Sequence, residues 1–456
     1  MKPTLIGFTK WVFLSATFSF TASAADIGVL MPVYSLLFDE GVVADKWGAD
    51  LISESHRPDI SWIGNFNGVT PLLVAEGSSI EATLASCASE YCVLSIGQLQ
   101  LSDTVYLDRP KTKLQGLAGN RITYLDSVDE VGAFVEIGDN MQEIVIQGLN
   151  LDGHFLDGQV HEYGNTPVFG ILIEGQDIDK ISVTGNQVHH INSDDNAHAI
   201  AAYGTGASEA AAITNLSIKG NQVFDMRTGS SESLVVNGNV NNWEIVQNAV
   251  SRVNNIAIDA IGGEGTAPTQ ISNGRTLPGP LDVARFGFIQ NNTVVDMTTL
   301  DNPAYNSQHS WAGAIYVDGA RNLLISGNTV SNAEWAYDIG AENCLRSRHI
   351  VLENNTAAGS YYGDLLLGGY APTGYPEDIS IGCDPLSSVD DDEGHGYVEN
   401  VTVKNNQFNT DTPVDDQGRI NLQFRIRQSI ITQSGVSEDH PNGLVSGDEN
   451  SIRVAE

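Results

Sequence analysis

The chain has 456 residues, enough for one large core, and carries 57 acidic against 22 basic side chains, a formal charge of −35. Such an excess lacks the basic footprint that nucleic acid or an anionic membrane surface needs, so neither is expected as a partner. A polyanionic ligand is compatible only where a cation or a local basic residue intervenes.

The first 24 residues have the order of an export signal: Lys2 and Lys10, an apolar run from Trp11 to Phe20, and "ASA" before a cleavage point after Ala24. The apolar run is too short to span a bilayer. A secreted protein, periplasmic or extracellular, is expected. In such a compartment four cysteines can form two bridges, a local Cys87–Cys92 and a Cys344–Cys383 between neighbouring segments. Their spacing does not match a zinc site.

Residues 25–100 read as an N-terminal segment and cap, in which "SIEATLASCASEYCVLS" (79–95) has the apolar spacing of a short amphipathic helix. "TVYLDRPKTKLQG" (104–116) reads as two early strands. From there to about residue 435 one phrase returns: "ISVTGNQV", "LSIKGNQV", "WEIVQNAV", "FGFIQNNTV", "LLISGNTV", "IVLENNT", "VTVKNNQF". Its asparagine falls at Asn186, Asn221, Asn248, Asn292, Asn328, Asn355 and Asn406, at intervals of 27 to 51 residues. A fixed minimum with longer exceptions is the signature of coils of constant girth carrying loops. Short alternating strands precede each phrase: "GILIEG", "AIAAYG", "LVVNG", "IAIDA", "AIYVDG". Strand-period alternation with no sustained helical period predicts an all-β parallel β-helix. Stacked coils put the repeated asparagines over one another at a bend, where Asn or Gly tolerates left-handed backbone. The tail, 436–456, is polar, and "VDDDEGHG" (389–396) reads as a solvated acidic loop, with calcium binding as the alternative.

With these "GN-[TQ]-V" corners, a capped start and an export signal, the chain resembles the right-handed parallel β-helix proteins of the pectate-lyase-like superfamily over residues 100–435. The resemblance implies the fold and a polysaccharide ligand. It leaves lyase, glycoside hydrolase, epimerase and non-catalytic binding or tail protein as alternatives.

Alternation assigns the exposed face. With Ile171 and Ile173 inside, Leu172 and Glu174 point outward. The same register aligns Glu174 with Tyr203, Asn237, Asp259, Asp318 and Gly340, and Leu172 with Ala201, Val235, Ala257, Tyr316 and Asp338. Insertions at 262–285 and 298–313 are expected to wall a groove after these strands, contributing Glu264, Arg285, Tyr305, His309 and Trp311, with Glu232 flanking. Rings beside carboxylates suit sugars, whose C–H faces pack on aromatics while hydroxyls seek acceptors. Asn237, Tyr316, Asp338, Glu264, His309, Trp311 and Glu232 are therefore the candidate substrate contacts.

Two chemistries fit such a groove. Glycoside hydrolysis needs two carboxyls, and Asp259 and Asp318 in equivalent positions of consecutive coils are expected roughly 5 Å apart, near the retaining geometry. Asp259 and Asp338 are expected farther apart, closer to the inverting one. β-Elimination on a uronate needs its carboxylate neutralised. Calcium is the candidate cofactor there, held by Asp259, Asp318 and Glu264, with Arg285 or Tyr203 as base or acid and His198 and His309 in reserve. Lyase leads slightly, on the frequency of lyases in the superfamily rather than on these residues. The hydrolase pattern "NTD", "DD", "GHG" is out of order here, "DPHD" is absent, and Lys219 lies away from the stripe. His189 and His190 read as surface histidines near a corner. A monomeric enzyme is the leading expectation, and a carbohydrate-binding or adhesion solenoid the competing class.

Overall fold

In the computed structural model, which describes residues 52–74, 76–125, 132–153, 167–193, 196–272, 275–342, 345–369, 396–411, 419–422, 426–427, 429–432 and 453–454, the alternating runs form stacked parallel strands. The export segment, Cys344, Cys383 and nearly all of the acidic loop at 389–396 lie outside these residues. Among the described residues one face, here the front sheet, holds ten strands, including Val168–Gly175, Ala197–Gly204, Leu234–Gly238, Ile258–Ile261, Gly313–Asp318, Trp335–Gly340 and Gly363–Leu367. The other strands form the two remaining faces, one before and one after the asparagine corner. Strands such as Ile213–Lys219 and Gln222–Met226 pair with their counterparts one coil away. All the described pairings between these strands are parallel; a small antiparallel hairpin, Gln270–Ser272 with Arg275–Leu277, sits inside one insertion. The result is a right-handed parallel β-helix, the hand that parallel crossovers take almost without exception.

The asparagine corner forms as expected. Asn186, Asn221, Asn248, Asn292, Asn328, Asn355 and Asn406 are all buried, and each side-chain oxygen after the first accepts the backbone N–H of the asparagine one coil before at 2.9–3.0 Å. The residue ahead of each has positive φ: Gly185, Gly220, Gln247, Asn291, Gly327, Asn354 and Asn405. At the next turn a second column does the same, at His190, Asp225, Arg252, Asp296 and Asn332. The coil's bends are thus built from left-handed residues at fixed places.

Inside, side chains stack in columns. Ile181, Leu216, Trp243, Gly287, Leu323, Ile350 and Val401 follow one another through successive strand pairs. Gly287 makes room for the fully buried Trp243: a Cβ there would lie 2.1 Å from the indole. At the N-terminal end the helix Ile80–Ala85 is capped by Ser79, whose hydroxyl accepts the Ala82 N–H, and inserts Ile80 and Leu84 into the core. This helix is shorter than the expected 79–95. The Cys87–Cys92 disulfide closes the chain, and the strand Cys92–Leu101 begins at once. Stacked strands begin as early as Leu72–Val74. No described helix is long and apolar enough to cross a membrane.

Candidate active site on the front sheet

The outer side of the front sheet carries three columns of side chains. Backbone pairing fixes the middle one as Leu172, Ala201, Val235, Asp259, Tyr316, Asp338 and Leu366. On one side lies Glu174, Tyr203, Asn237, Ile261, then Asp318 and Gly340. On the other lie Phe169 and His198, which pair directly, then Glu232, which follows His198 because Ile200 pairs with Leu234. Their outward direction is clear from packing. Leu172, Ala201, Val235 and Ile261 form a cluster apart from the main core, which holds Ile171, Ala202, Ile258 and Ala260.

Asp259 therefore faces outward as expected, but its register is two residues off: it sits beside Val235 and Tyr316, not Asn237 and Asp318. The cause is the corner before the strand. Ala257 and Ile258 both enter the core in succession, as Ala199–Ile200 and Ala314–Ile315 do, and this breaks simple alternation. Ala260 then fills the next inward position, so "IAIDA" aligns two residues later than its look suggests. Asp259 and Asp318 become diagonal neighbours, as are Asp318 and Asp338, and a diagonal on a sheet spans about 7–8 Å instead of roughly 5 Å.

These carboxyls are covered. Asp259 is 1% exposed, Asp318 4% and Asp338 7%. The stripe expected to be open is thus closed off from solvent, and the two insertions adjoin opposite edges of the sheet. Residues 262–283 follow the strand Ile258–Ile261, whereas 298–312 precede Gly313–Asp318. Asp282 accepts the Gly265 and Ala267 N–H groups, folding the first loop so that Glu264 accepts from the Asn237 amide. Asn302 donates to the Gly229 and Asn254 carbonyls and pins the second loop. Tyr305, on that loop, senses both Glu232 and Glu342.

Burial among like charges sets the protonation. Burial first, then Glu232, Asp318 and Glu264, hold Asp259 far above the usual carboxylate range. One of its oxygens, Oδ1, lacks a hydrogen-bond partner. Burial, with Glu264, pushes Glu232 up to about 8, and burial with Glu342 and Asp318 raises Asp338. Asp318 Oδ1 accepts the Glu342 N–H at 2.6 Å. His198 is stacked on Phe169, donates Nδ1–H to the Glu232 carbonyl at 2.8 Å, and faces the Tyr203 hydroxyl at 3.1 Å through Nε2. Burial lowers its pKa to about 4, so the ring is neutral and its Nε2 accepts the phenol proton. Burial and four surrounding carboxylates raise Tyr203, which opposes a phenolate base. Tyr316 is raised in the same way.

Several expected members are elsewhere. Arg285 belongs to the next sheet, in a column with Arg321 and Arg348, and its guanidinium binds the Asn239 side chain and the Val283 carbonyl. Its strand pairs with Val240–Val246 and Arg321–Ser326, so it does not lie on the front sheet. His309 is tied to Glu334 at 2.7 Å and stacked on Tyr361 at 3.4 Å, which makes it a brace of its loop. Trp311 is 46% exposed and leans on Trp335 and Tyr362, next to Leu366. Asp259, Asp318 and Glu264 do not gather one oxygen each into a common site. Among the described residues the group that does bring three such ligand atoms within 4.8 Å is Asp152, His189 and His190.

The sequence reading missed Phe169, Trp335, Tyr362 and Glu342 as members of this face. The first three sit one corner ahead of the alternating run, where register was not counted. Glu342 lies just past the strand end. The face thus grades along the axis from apolar (Leu172, Ala201, Val235) through acidic to aromatic (Trp335, Tyr362, Trp311).

No family model matches the chain. The "Uncharacterized protein YwoF" of Bacillus subtilis (strain 168) is 28% identical over 218 residues, which are 48% of this chain and 40% of that protein, so the match spans less than half of the relative. Similar solved structures include an endo-xylogalacturonan hydrolase from Aspergillus tubingensis, at 10% identity and TM-score 0.46, covering 84% of this chain and 100% of that one. A family 28 exopolygalacturonase of Yersinia enterocolitica is similar at 12% identity and TM-score 0.45, covering 86% and 76%. At this level they say nothing about the chemistry of these side chains.

Proposed function

We propose that the protein is an exported polysaccharide-active enzyme that binds a sugar chain along the front sheet and hydrolyses it with inversion at the anomeric carbon. The observation that carries this is the Asp259 carboxyl: covered, one oxygen without a partner, and held well above the usual carboxylate range by burial and by Glu232, Asp318 and Glu264. A carboxyl whose pKa is raised is suited to act as the general acid that glycoside cleavage needs. Asp318, its diagonal neighbour, is the base that activates water, and a diagonal spacing of about 7–8 Å between strand positions is compatible with carboxyls in the inverting range of roughly 6.5–9.5 Å. Asp338 stands diagonal to Asp318 and is the alternative acid of the same pair geometry. The aromatic end of the face, with Trp311 exposed, supplies the sugar-stacking surface at which the chain enters.

Hydrolysis is preferred to β-elimination here because the charged groups that perturb Asp259, Asp338, Tyr203 and Tyr316 are all acids, with no lysine or arginine among them. A uronate would need a cation to approach. The Cys87–Cys92 bridge supports an oxidising compartment. The test is a panel of neutral and acidic polymers with and without EDTA. Reducing ends should appear without far-ultraviolet absorbance and without sensitivity to EDTA, and Asp259→Asn and Asp318→Asn should each abolish them. Unsaturated product that disappears with EDTA would establish the calcium-dependent lyase instead. Polymer binding with no turnover, unchanged by both substitutions, would leave a binding solenoid.

A further inference from the structure

A second cluster lies away from the front sheet, where the strands Asn150–Asp152 and Gln187–His189 pair with His189 beside Asp152. Three ligand atoms converge there. His189 Nδ1 is 2.8 Å from His190 Nδ1, and Asp152 Oδ1 is 3.2 Å from His190 Nδ1 and 3.5 Å from His189 Nδ1. A tetrahedral zinc with Zn–N and Zn–O near 2.0–2.1 Å needs donor-to-donor edges of about 3.3 Å, and these three edges straddle that value.

The surroundings fix which atoms are available. His189 Nε2 is 2.7 Å from Asn150 Oδ1, an acceptor, so the proton sits on Nε2 and Nδ1 presents a lone pair. Asp152 Oδ2 is held by Arg121 at 2.7 Å, which turns Oδ1 toward the imidazoles. A lone pair on His189 Nδ1 therefore faces a carboxylate oxygen on one side and a second ring nitrogen on the other, a set of donors that a cation reconciles. The rings are held in place. His189 stacks on Phe224 with centroids 4.6 Å apart and planes within 9°. His190 occupies the left-handed turn position that Asp225, Arg252, Asp296 and Asn332 fill in later coils, so the fold sets its backbone. His190 Nε2 lies 4.0 Å from Asp225 Oδ2, a carboxylate positioned behind the ring. His189 and Asp152 are buried, while the His190 side chain is one-third exposed and gives access.

We propose that Asp152, His189 and His190 form a divalent transition-metal site, zinc by preference. Two imidazoles and one carboxylate select a borderline metal over calcium, which takes oxygen ligands. The site is independent of the acidic front sheet, and its failure would leave the hydrolase proposal untouched.

The test uses the full exported chain stripped with EDTA and returned to buffer with excess magnesium, which occupies loose surface carboxylates. Titration with zinc chloride should show one saturable site per chain, and cobalt(II) in its place should give the intense visible absorption of a tetrahedral N/O site. Asp152→Asn and His190→Ala should abolish the cobalt band, and Asn150→Ala, which frees the His189 tautomer, should weaken zinc binding about ten- to hundredfold. His190→Ala, at a partly exposed position, keeps the test decisive if changes at His189 prevent folding. Zinc uptake that is absent, or that persists unchanged in Asp152→Asn and His190→Ala, overturns the proposal and leaves a hydrogen-bonded His–His–Asp cluster.

Discussion

Asn292→Ala tests what holds the coils in register. Asn292 Oδ1 accepts the Asn248 backbone N–H at 2.9 Å and the Asn248 amide at 3.1 Å, and its own amide donates to the Ile245 carbonyl at 2.9 Å and to Asn328 Oδ1 at 3.0 Å. Alanine removes all four bonds at a position that is 1% exposed, leaving two Asn248 donors without these acceptors inside the protein. Each stranded donor costs about 1–3 kcal/mol, and the net loss of a satisfied bond adds around 1 kcal/mol, so the expected destabilisation is about 3–5 kcal/mol. Gln222→Ala, on the exposed side of the same kind of corner, should cost less than about 0.5 kcal/mol. Urea midpoints by circular dichroism compare the two, and amide exchange should show faster opening at Asn248 and its neighbours than at distant coils. Near-equal midpoints for the two variants would refute the ladder as a source of stability.

Three further outcomes follow from the same coordinates. The folded-state pKa of Asp259 is raised above its unfolded value, so its contribution is fully present below about pH 4 and is lost as pH rises through the folded pKa. Asp259→Asn should therefore gain in melting temperature relative to wild type as pH goes from 4 to 8, and parallel curves across that range would contradict a raised pKa. Gly287→Ala drives a methyl to within 2.1–2.5 Å of the Trp243 indole and should cost about 3 kcal/mol in chemical denaturation, with Trp243→Phe recovering part of it in the double variant. Trp311→Ala should weaken polymer retention in affinity electrophoresis while leaving the melting temperature unchanged, because half of that ring already meets solvent.

The coil architecture was legible because its determinants are local and repeated. A β-branched run, a left-handed Gly or Asn and a ladder Asn can be recognised one coil at a time, and all seven asparagines fall where the spacing put them. The site was legible only to the level of a face. Tyr316, Asp318 and Asp338 were aligned correctly because "AIYVDG" and the strand that follows show inward Ile and Val in plain alternation. Asp259 was misaligned because Ala257 and Ala260 are small enough to hide which side they occupy. Arg285 looked like a groove residue by proximity in sequence to Glu264, yet the chain turns a corner at Val283 and carries it to another sheet. The Asp152–His189 contact did have a signal. "GLNLDG" at 148–153 is a degenerate corner, and laying it on "GNQVHH" sets Asp152 against His189.

The misalignment matters for chemistry because a stacked sheet offers only a few carboxylate separations. Residues in one column on adjacent strands lie about 4.8 Å apart, diagonal neighbours about 7–8 Å, and the same column two strands away about 10 Å. A retaining pair needs the first spacing and an inverting pair the second. The residue beside Asp318 in its own column, one beyond the Ala260–Val317 pair, is Ile261, and the residue beside Asp259 in its column is Tyr316. Neither acid has an acidic partner at the short spacing, whereas Asp318 has one on each diagonal. A two-residue slip in one strand thus converts the stereochemical expectation from retention to inversion without moving any side chain to a different face. The anomer released first by the enzyme, followed by proton NMR before mutarotation, tests that pairing: the inverted anomer agrees with the diagonal acids Asp259 and Asp318, and the retained anomer would point instead to another neighbouring acid such as Glu232.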